Sequence, residues 1–382
     1  MPHPIAPALR AAVPAVLALA DGTVLRGYSV GVAGQASGEV VFSAATQGCQ
    51  EILGDPGYSR QLVTLSYPHV CAHGSDELFA PRARAAGLIM KDLPIQASNF
   101  RQRLGLAEYL AEQEIVAIAG IDTHRLIRIL REKGAQNGAI VTGAAAEQAL
   151  RLARACPGLA GMDLAREVGT SVPYDWHAVG GLSDDHAAPG RDACHVVAFD
   201  YGAKYSILRR LAERGCRLTV LPAQASAAEA LALKPDGIFL SNGPGDPQPC
   251  GYAIDAAREL IERGIPTFGI CLGQQIMALA SGARTQKMKF GLHGAQHPVQ
   301  DIASGQVMLA AQHRGFEVDS DTLPRNCRVT HVSLLDGSLQ GFARTDKPAF
   351  CFQGHPDEAP GAHGGAQLFD RFVQLMASHR QA

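Results

Sequence analysis

Cys271 has the sequence surroundings of a reactive thiol. It follows the apolar segment 266–270, which predicts a short strand, and it precedes a spacing of Ile276, Leu279 and Ala280 that predicts a helix. Glycines stand two positions before and two positions after it, and small neighbours allow the sharp strand-to-helix turn that exposes a nucleophile. The positive potential at the start of a helix favours a thiolate over a thiol. We therefore predict that Cys271 is a nucleophile, and the alternative is a small buried residue at a tight turn.

A base for this thiol is offered by His355, which follows an apolar stretch near the end of the chain. Asp357 lies two positions later, and residues two apart in an extended chain face the same side. A carboxylate in that position can orient an imidazole and stabilise its protonated form. A histidine before a proline is by itself more often part of a structural turn. Together with Cys271, however, His355 and Asp357 predict a Cys–His–acid arrangement.

Main-chain N–H groups that could stabilise an oxyanion are predicted at two places. Leu272 would lie in the first turn of the helix, where the N–H group has no partner within the helix. The segment 241–247 reads Ser-Asn-Gly-Pro-Gly-Asp-Pro and follows the apolar segment 238–240. Because glycine lets the backbone approach a substrate closely, the loop with Gly243 and Gly245 could offer a second N–H group.

The elements that must hold these residues are strands alternating with helices over 193–380. Apolar segments at 195–200, 217–221, 237–240 and 266–270 are separated by helical patterns. This alternation predicts a doubly wound α/β domain with a parallel sheet. Reactive groups in such sheets gather at the carboxyl ends of the strands, which is where the glycine-rich loop and Cys271 are both predicted to lie.

The N-terminal part of the sequence is organised differently. We predict a leader over 1–14, a domain of mixed α/β structure over 15–170, and a linker over 171–192, which is rich in Pro, Gly, Asp, Ser and His. The apolar run 11–20 resembles the central region of a secretory signal. The Asp-Gly turn at 21–22, between aliphatic segments, favours a first strand and a hairpin instead.

Composition excludes several functional classes. Of the 382 residues, 47% are hydrophobic and 18% are charged, which is typical of a soluble globular protein with substantial cores. A net charge of −2 without a Lys/Arg tract argues against nucleic-acid binding, and no apolar run approaches the roughly 20 residues that would span a membrane. The nine cysteines have no CxxC or zinc-ribbon spacing, which predicts reduced thiols and a cytoplasmic protein.

Two segments of the sequence resemble class I, triad-type glutamine amidotransferases. They are the elbow 269–275 and the His-Pro-acid sequence 355–357 near the end of the chain. Further motifs narrow the resemblance to the family of carbamoyl-phosphate synthetase small subunits. They are 241–247, 287–291 and 312–316 in the C-terminal half, and 51–56, 58–61, 97–101 and 131–138 in the N-terminal half, which other class I amidotransferases lack. The likeness covers about residues 16 to 378.

The resemblance implies a fold, a reaction and a set of residues. The fold is an N-terminal mixed α/β small-subunit domain followed by a doubly wound amidotransferase domain. The reaction is hydrolysis of L-glutamine, and the ammonia passes to a separate large subunit that carries ATP, Mg²⁺ and bicarbonate chemistry. No cofactor is expected on this chain, which also has no GxxxxGK[ST] loop. The implied catalytic residues are Cys271, His355 and Asp357, and the implied glutamine-binding residues are Gly243, Gly245, Leu272, Gln275, Gly315 and Phe316.

Departures from the family pattern concentrate in the implied glutamine pocket. Ala45 replaces a serine, Gln274 a histidine, His313 and Arg314 an Asn-His pair, and Asp357 a glutamate. Glu358 follows directly and could assist the triad. Arg314 could pair with a carboxylate through two hydrogen bonds, or it could be a solvated surface residue.

Three hypotheses follow from the sequence. The first is the glutaminase subunit itself. The second is a divergent paralogue that uses the same thiol on another amide or acyl substrate, without the large subunit. The third is a non-catalytic partner that regulates a large subunit, against which the intact Cys271 and His355 argue.

Overall fold

The computed structural model describes residues 13–45, 48–67, 82–93, 104–176, 193–358 and 365–380, without the side chains of residues 295, 296 and 358. The chain divides into two compact units, Met1–Leu159 and Ala160–Ala382. Most of the predicted leader and residues 177–192 of the predicted linker lie outside the described residues, as does the motif at 97–101.

The first unit contains a closed barrel in which the strands follow the order β1-β2-β6-β5-β4-β3-β7. Its strands are β1 (Pro14–Leu19), β2 (Val24–Gly31), β3 (Gln35–Ser43), β4 (Gln61–Leu65), β5 (Gly87–Ile89), β6 (Val116–Ala119) and β7 (Gln136–Thr142). Its helices are α1 (Cys49–Gly54), α2 (Leu106–Glu112), α3 (Thr123–Lys133) and α4 (Ala146–Ala155).

The predicted first hairpin is confirmed. β1 pairs antiparallel with β2 around the turn at 21–22, so the apolar run after residue 13 forms a strand. β1 also pairs with β7, which closes the barrel. Among the described residues, Cys49 contradicts the expectation of reduced thiols, since it is disulfide-bonded.

The second unit is built on a ten-stranded sheet with the order β14-β13-β15-β16-β17-β12-β11-β9-β10-β8. Its strands are β8 (Tyr174–Asp175), β9 (His195–Asp200), β10 (Arg217–Pro222), β11 (Gly237–Leu240), β12 (Thr267–Ile270), β13 (Arg284–Asp301), β14 (Val307–Asp319), β15 (Cys327–Ser333), β16 (Leu339–Arg344) and β17 (Ala349–Phe352). Its helices are α5 (Ala165–Val168), α6 (Tyr205–Ala212), α7 (Ala227–Ala232), α8 (Gly251–Glu262), α9 (Leu272–Ser281) and α10 (Ala366–Arg380).

The centre of this sheet confirms the predicted α/β class. Strands β10, β9, β11, β12 and β17 run parallel to one another, and helices follow β9, β10, β11 and β12. Two buried apolar clusters within this unit involve the central strands, because a parallel sheet covered on both faces needs hydrophobic residues at nearly every position. The long hairpin of β13 and β14 departs from this pattern and passes close to the predicted nucleophile.

Candidate active site

Cys271 forms the elbow between β12 and α9. Its backbone has φ 55° and ψ −107°, a region that a residue with a side chain seldom adopts. The flanking glycines explain how the turn can be so tight: a Cβ on Gly269 would lie 2.7 Å from the Gly273 carbonyl oxygen, and one on Gly273 would lie 2.1 Å from the Leu240 carbonyl oxygen. The predicted elbow is therefore present.

The Cys271 thiol is enclosed between the elbow and β14. The residue is 2% exposed, and its Sγ lies 3.7 Å from the His313 carbonyl oxygen. Its N–H group donates to the Phe352 carbonyl oxygen at 2.9 Å, which ties the elbow to the end of β17. Because β17 leads directly to His355, this bond brings the two halves of the predicted catalytic pair to the same strand ends.

His355 is held by backbone pairing and by a neighbouring ring. Its N–H group donates to the Ala311 carbonyl oxygen at 2.8 Å, and its ring packs edge-on against that of His313 with 5.0 Å between centroids. Since the His313 carbonyl also contacts the Cys271 thiol, Cys271 and His355 share one neighbour. The imidazole is buried.

Asp357 approaches His355 through a 3₁₀ turn. The extended chain that we predicted between these residues is replaced by the turn Pro356–Glu358, and the Asp357 Oδ1 to His355 Nδ1 distance is 4.0 Å. Both side chains are buried. This separation exceeds the length of a hydrogen bond. The other oxygen, Oδ2, accepts a hydrogen bond of 2.6 Å from Ser206, which sequence reasoning missed.

The glycine-rich loop after β11 lies against the elbow. A Cβ on Gly243 would lie 2.8 Å from Leu272 Cδ2 and 2.2 Å from the Tyr201 carbonyl oxygen, and the Gly273 N–H group donates to the Ser241 carbonyl oxygen at 3.0 Å. The two predicted sources of oxyanion N–H groups are therefore neighbours. Gly245 has φ 88°, which favours glycine.

Gln275 links the first turn of α9 to β14. Its amide Nε2 donates to the Phe316 carbonyl oxygen at 2.8 Å and to Gln353 Oε1 at 3.1 Å. Phe316 in turn packs beneath the Lys287 ammonium group, 5.1 Å from the ring centroid. Gly315 precedes Phe316 on β14, so the implied pocket residues around the elbow come from the loop after β11, from α9 and from β14.

Two family models match this chain. The model for class-I glutamine amidotransferases matches residues 197–375, and the model for the CPSase domain of the carbamoyl-phosphate synthase small chain matches residues 17–140. The carbamoyl phosphate synthase small chain of Ralstonia nicotianae is 60% identical over 372 residues, covering 96% of this chain and 98% of the relative. That of Pseudomonas aeruginosa is 60% identical over 375 residues, covering 96% and 99%.

The chain belongs to the carbamoyl phosphate synthase small-chain family. The resemblance inferred from its motifs is thereby confirmed.

Arg314 is a buried member of the altered pocket, so the hypothesis of a solvated surface residue is wrong. Its side chain is 2% exposed, and Nη1 lies 3.6 Å from Glu317 Oε2. Nη2 donates to Ser338 Oγ at 3.0 Å, while Nε and Nη1 have no hydrogen-bond partner among the described residues. Burial lowers the pKa of this guanidinium, and the carboxylates of Glu317 and Asp336 and the Cys271 thiol oppose that shift.

The His313 ring lies near the rings of two other histidines. Its ring lies 5.0 Å from that of His355 and 6.3 Å from that of His293. Burial, with a smaller contribution from His313, lowers the pKa of His293 to about 3. His293 is therefore a neutral imidazole at every pH at which the protein would be assayed.

The remaining departures are placed as follows. Gln274 is fully buried on α9, and neither of its amide atoms has a hydrogen-bond partner among the described residues. Ala45 belongs to the first unit, where it packs at the edge of an apolar cluster and its N–H group donates to Ser43 Oγ at 3.3 Å. The backbone of Glu358 completes the 3₁₀ turn, and its side chain lies outside the described residues.

Metal and membrane roles find no support in the described ranges. No group of three or more His, Cys, Asp or Glu residues there could hold a metal ion. None of the helices in the same ranges is both long and apolar enough to cross a membrane.

Proposed function

We propose that this chain hydrolyses L-glutamine and supplies ammonia to a carbamoyl phosphate synthase large chain. The observation that carries the proposal is the elbow at Cys271, which has a positive φ, contacts the His313 carbonyl and is hydrogen-bonded to the strand that leads to His355. Membership of the small-chain family supports the choice of substrate and partner. A cytoplasmic location, and ATP and Mg²⁺ bound on the large chain, belong to the same proposal.

The reaction would proceed through a thioester. The Cys271 thiolate attacks the side-chain amide carbon of glutamine, and the N–H groups of Leu272 and Gly243 stabilise the tetrahedral oxyanion. Protonated His355 gives its proton to the departing nitrogen, which leaves as ammonia. Neutral His355 then takes a proton from water, the water oxygen attacks the thioester, and glutamate leaves as the thiolate is restored.

The other pocket residues would bind and orient the substrate. Gln275 is fixed by Phe316 and Gln353, so its side chain presents a defined surface beside the elbow. Gly245 and Gly315 would let the main chain approach glutamine closely. Asp357 would stabilise protonated His355 by its charge, since a carboxylate in buried surroundings is only weakly screened.

A second candidate function is favoured by the buried Arg314. An enclosed guanidinium beside Cys271 differs from the histidine that we expected from the family, and two of its nitrogen atoms have no hydrogen-bond partner among the described residues. Such a group would suit a more anionic amide or acyl substrate. His313, in contact with His355, alters the same pocket. This hypothesis does not require the large chain.

Glutamate release by the purified chain distinguishes the two functions. With its own large chain we expect glutamine hydrolysis at least about tenfold faster than by the chain alone, because the family couples closure of the site to the partner; a tenfold change corresponds to about 1.4 kcal/mol. The triple variant Ala45→Ser, His313→Asn and Arg314→His should leave kcat/KM for glutamine within about threefold of the native value.

The control for the triple variant is Arg328→His, which changes an exposed arginine on β15. Thermal unfolding should accompany each assay, because Arg314→His leaves Glu317 without its cation and is expected to lower stability. Negligible native hydrolysis of glutamine that the triple variant raises by a factor of ten or more would contradict the glutaminase function and favour the second candidate.

A further inference from the structure

The carboxylate of Asp357 is held from the side opposite His355. Its Oδ2 accepts a hydrogen bond of 2.6 Å from the Ser206 hydroxyl, in the first turn of α6. Its Oδ1 is the oxygen nearer to His355, 4.0 Å from Nδ1, and the Asp357 side chain is 0% exposed. Ser206 and His355 therefore approach different oxygens of one buried carboxylate.

The length of the Ser206 bond indicates a charge-assisted interaction. Hydroxyl groups that donate to carboxylates do so at about 2.5–2.7 Å, and such bonds are roughly twice as strong as those between neutral groups. The carboxylate of an aspartate can turn about two side-chain torsions. Fixing Oδ2 at Ser206 removes that freedom and thereby determines where Oδ1 lies relative to the imidazole.

The hydrogen bond from Ser206 can orient the Asp357 carboxylate, which His355 is too far away to do. Aspartate is one methylene shorter than the glutamate that we expected, and the remaining gap to His355 is 4.0 Å. No direct hydrogen bond at that distance would orient the carboxylate toward the ring. The orientation must come from other neighbours, and Ser206 is one whose distance and geometry suit the task.

We propose that Ser206 is a positioning residue of the glutaminase site: its hydroxyl holds Asp357 in the orientation from which the carboxylate stabilises protonated His355. This inference rests on the catalytic roles proposed above for His355 and Asp357. Ser206 acts through Asp357, so removing its hydroxyl should impair proton transfer and leave glutamine binding unchanged.

The test is a double-mutant cycle on glutamine hydrolysis by the assembled complex. Ser206→Ala should lower kcat by about tenfold, the size expected for one hydrogen bond to a charged group, with KM for glutamine unchanged. Ser206→Thr, which keeps the hydroxyl, should restore most of kcat. In an Asp357→Ala background, Ser206→Ala should cause no further loss, because the residue through which it acts is already absent.

Ser226→Ala provides the matched control. Ser226 also donates from a helix start to a carboxylate, at 2.7 Å to Glu229 Oε2, and it lies at the start of α7. Its loss should lower thermal stability and leave kcat unchanged. Ammonia-dependent synthesis should be equal in all these complexes, which shows that each variant folds and assembles.

The inference would be overturned by an unchanged kcat for Ser206→Ala, by an equal loss from Ser206→Ala in the presence and absence of Asp357, or by no recovery with threonine. If Asp357→Ala alone keeps full kcat, the proposed role of the acid fails and the role of Ser206 fails with it. Failure of the glutaminase function itself would look different, because the native complex would then not hydrolyse glutamine. If the native complex is active, the glutaminase function stands whatever the Ser206 variants show.

Discussion

Replacing Cys271 with serine is expected to abolish glutamine-dependent carbamoyl phosphate synthesis while ammonia-dependent synthesis by the same complex persists. A serine hydroxyl at the elbow is almost fully protonated at neutral pH, whereas the proposed mechanism needs a thiolate beside a protonated His355. Added ammonia bypasses the thioester, so only the large chain has to act. The measurements are glutamate release and carbamoyl phosphate formation, each with glutamine or with ammonia as the nitrogen source.

Cys351→Ser is the matched control for this substitution. Cys351 is also a buried free thiol, on the strand that pairs with β12, and its Sγ lies 3.4 Å from the Phe342 carbonyl oxygen, which a serine hydroxyl could reach. We expect this variant to retain glutamine-dependent synthesis. If Cys271→Ser kept more than a few per cent of native glutamine turnover, Cys271 would not be the nucleophile.

The second large effect is expected at His355. His355→Asn should reduce glutamine hydrolysis by about 10² to 10⁴-fold, since the imidazole must both accept and donate the proton. Asp357→Asn should cost much less, about tenfold, because the carboxylate lies 4.0 Å from Nδ1 and acts by its charge. The comparison requires kcat for the native complex and both variants at one pH.

His331→Asn controls for the loss of a buried imidazole. His331 is 3% exposed and packs edge-on against Phe352, close to the same strand end, yet it has no part in the proposed reaction. Circular dichroism and ammonia-dependent synthesis should be unchanged in all three variants. Equal losses at His355 and Asp357, in folded protein, would refute the division of roles between base and acid.

The central sheet of the second unit followed from sequence because its information is local. Each parallel strand buried on both faces appears as a short apolar run, and each helix between them repeats at helical spacing. The barrel of the first unit did not follow in the same way. Its closure depends on the pairing of β1 with β7, which lies more than 100 residues later in the chain. Local sequence patterns do not specify which residues of two such distant strands pair.

The long hairpin of β13 and β14 was likewise settled by tertiary structure. The segments 287–291 and 312–316 could be recognised as motifs in the sequence. Which of their residues lie near Cys271 and His355 depends on how the two strands pair. β14 brings the His313 carbonyl to the Cys271 thiol and the His313 ring to His355, contacts that span 42 residues of sequence in both cases.

From the sequence alone Cys271 could be predicted as the nucleophile, since Cys271 and its flanking glycines lie within five residues and a tight turn is a local property. The sequence also predicted His355 as the base. Only the tertiary structure decided that Arg314 is buried, that Asp357 stops 4.0 Å short of His355, and that Ser206 holds the far oxygen of that carboxylate. Ser206 and Asp357 are separated by 151 positions, and a polar contact between distant segments leaves no periodicity in either one.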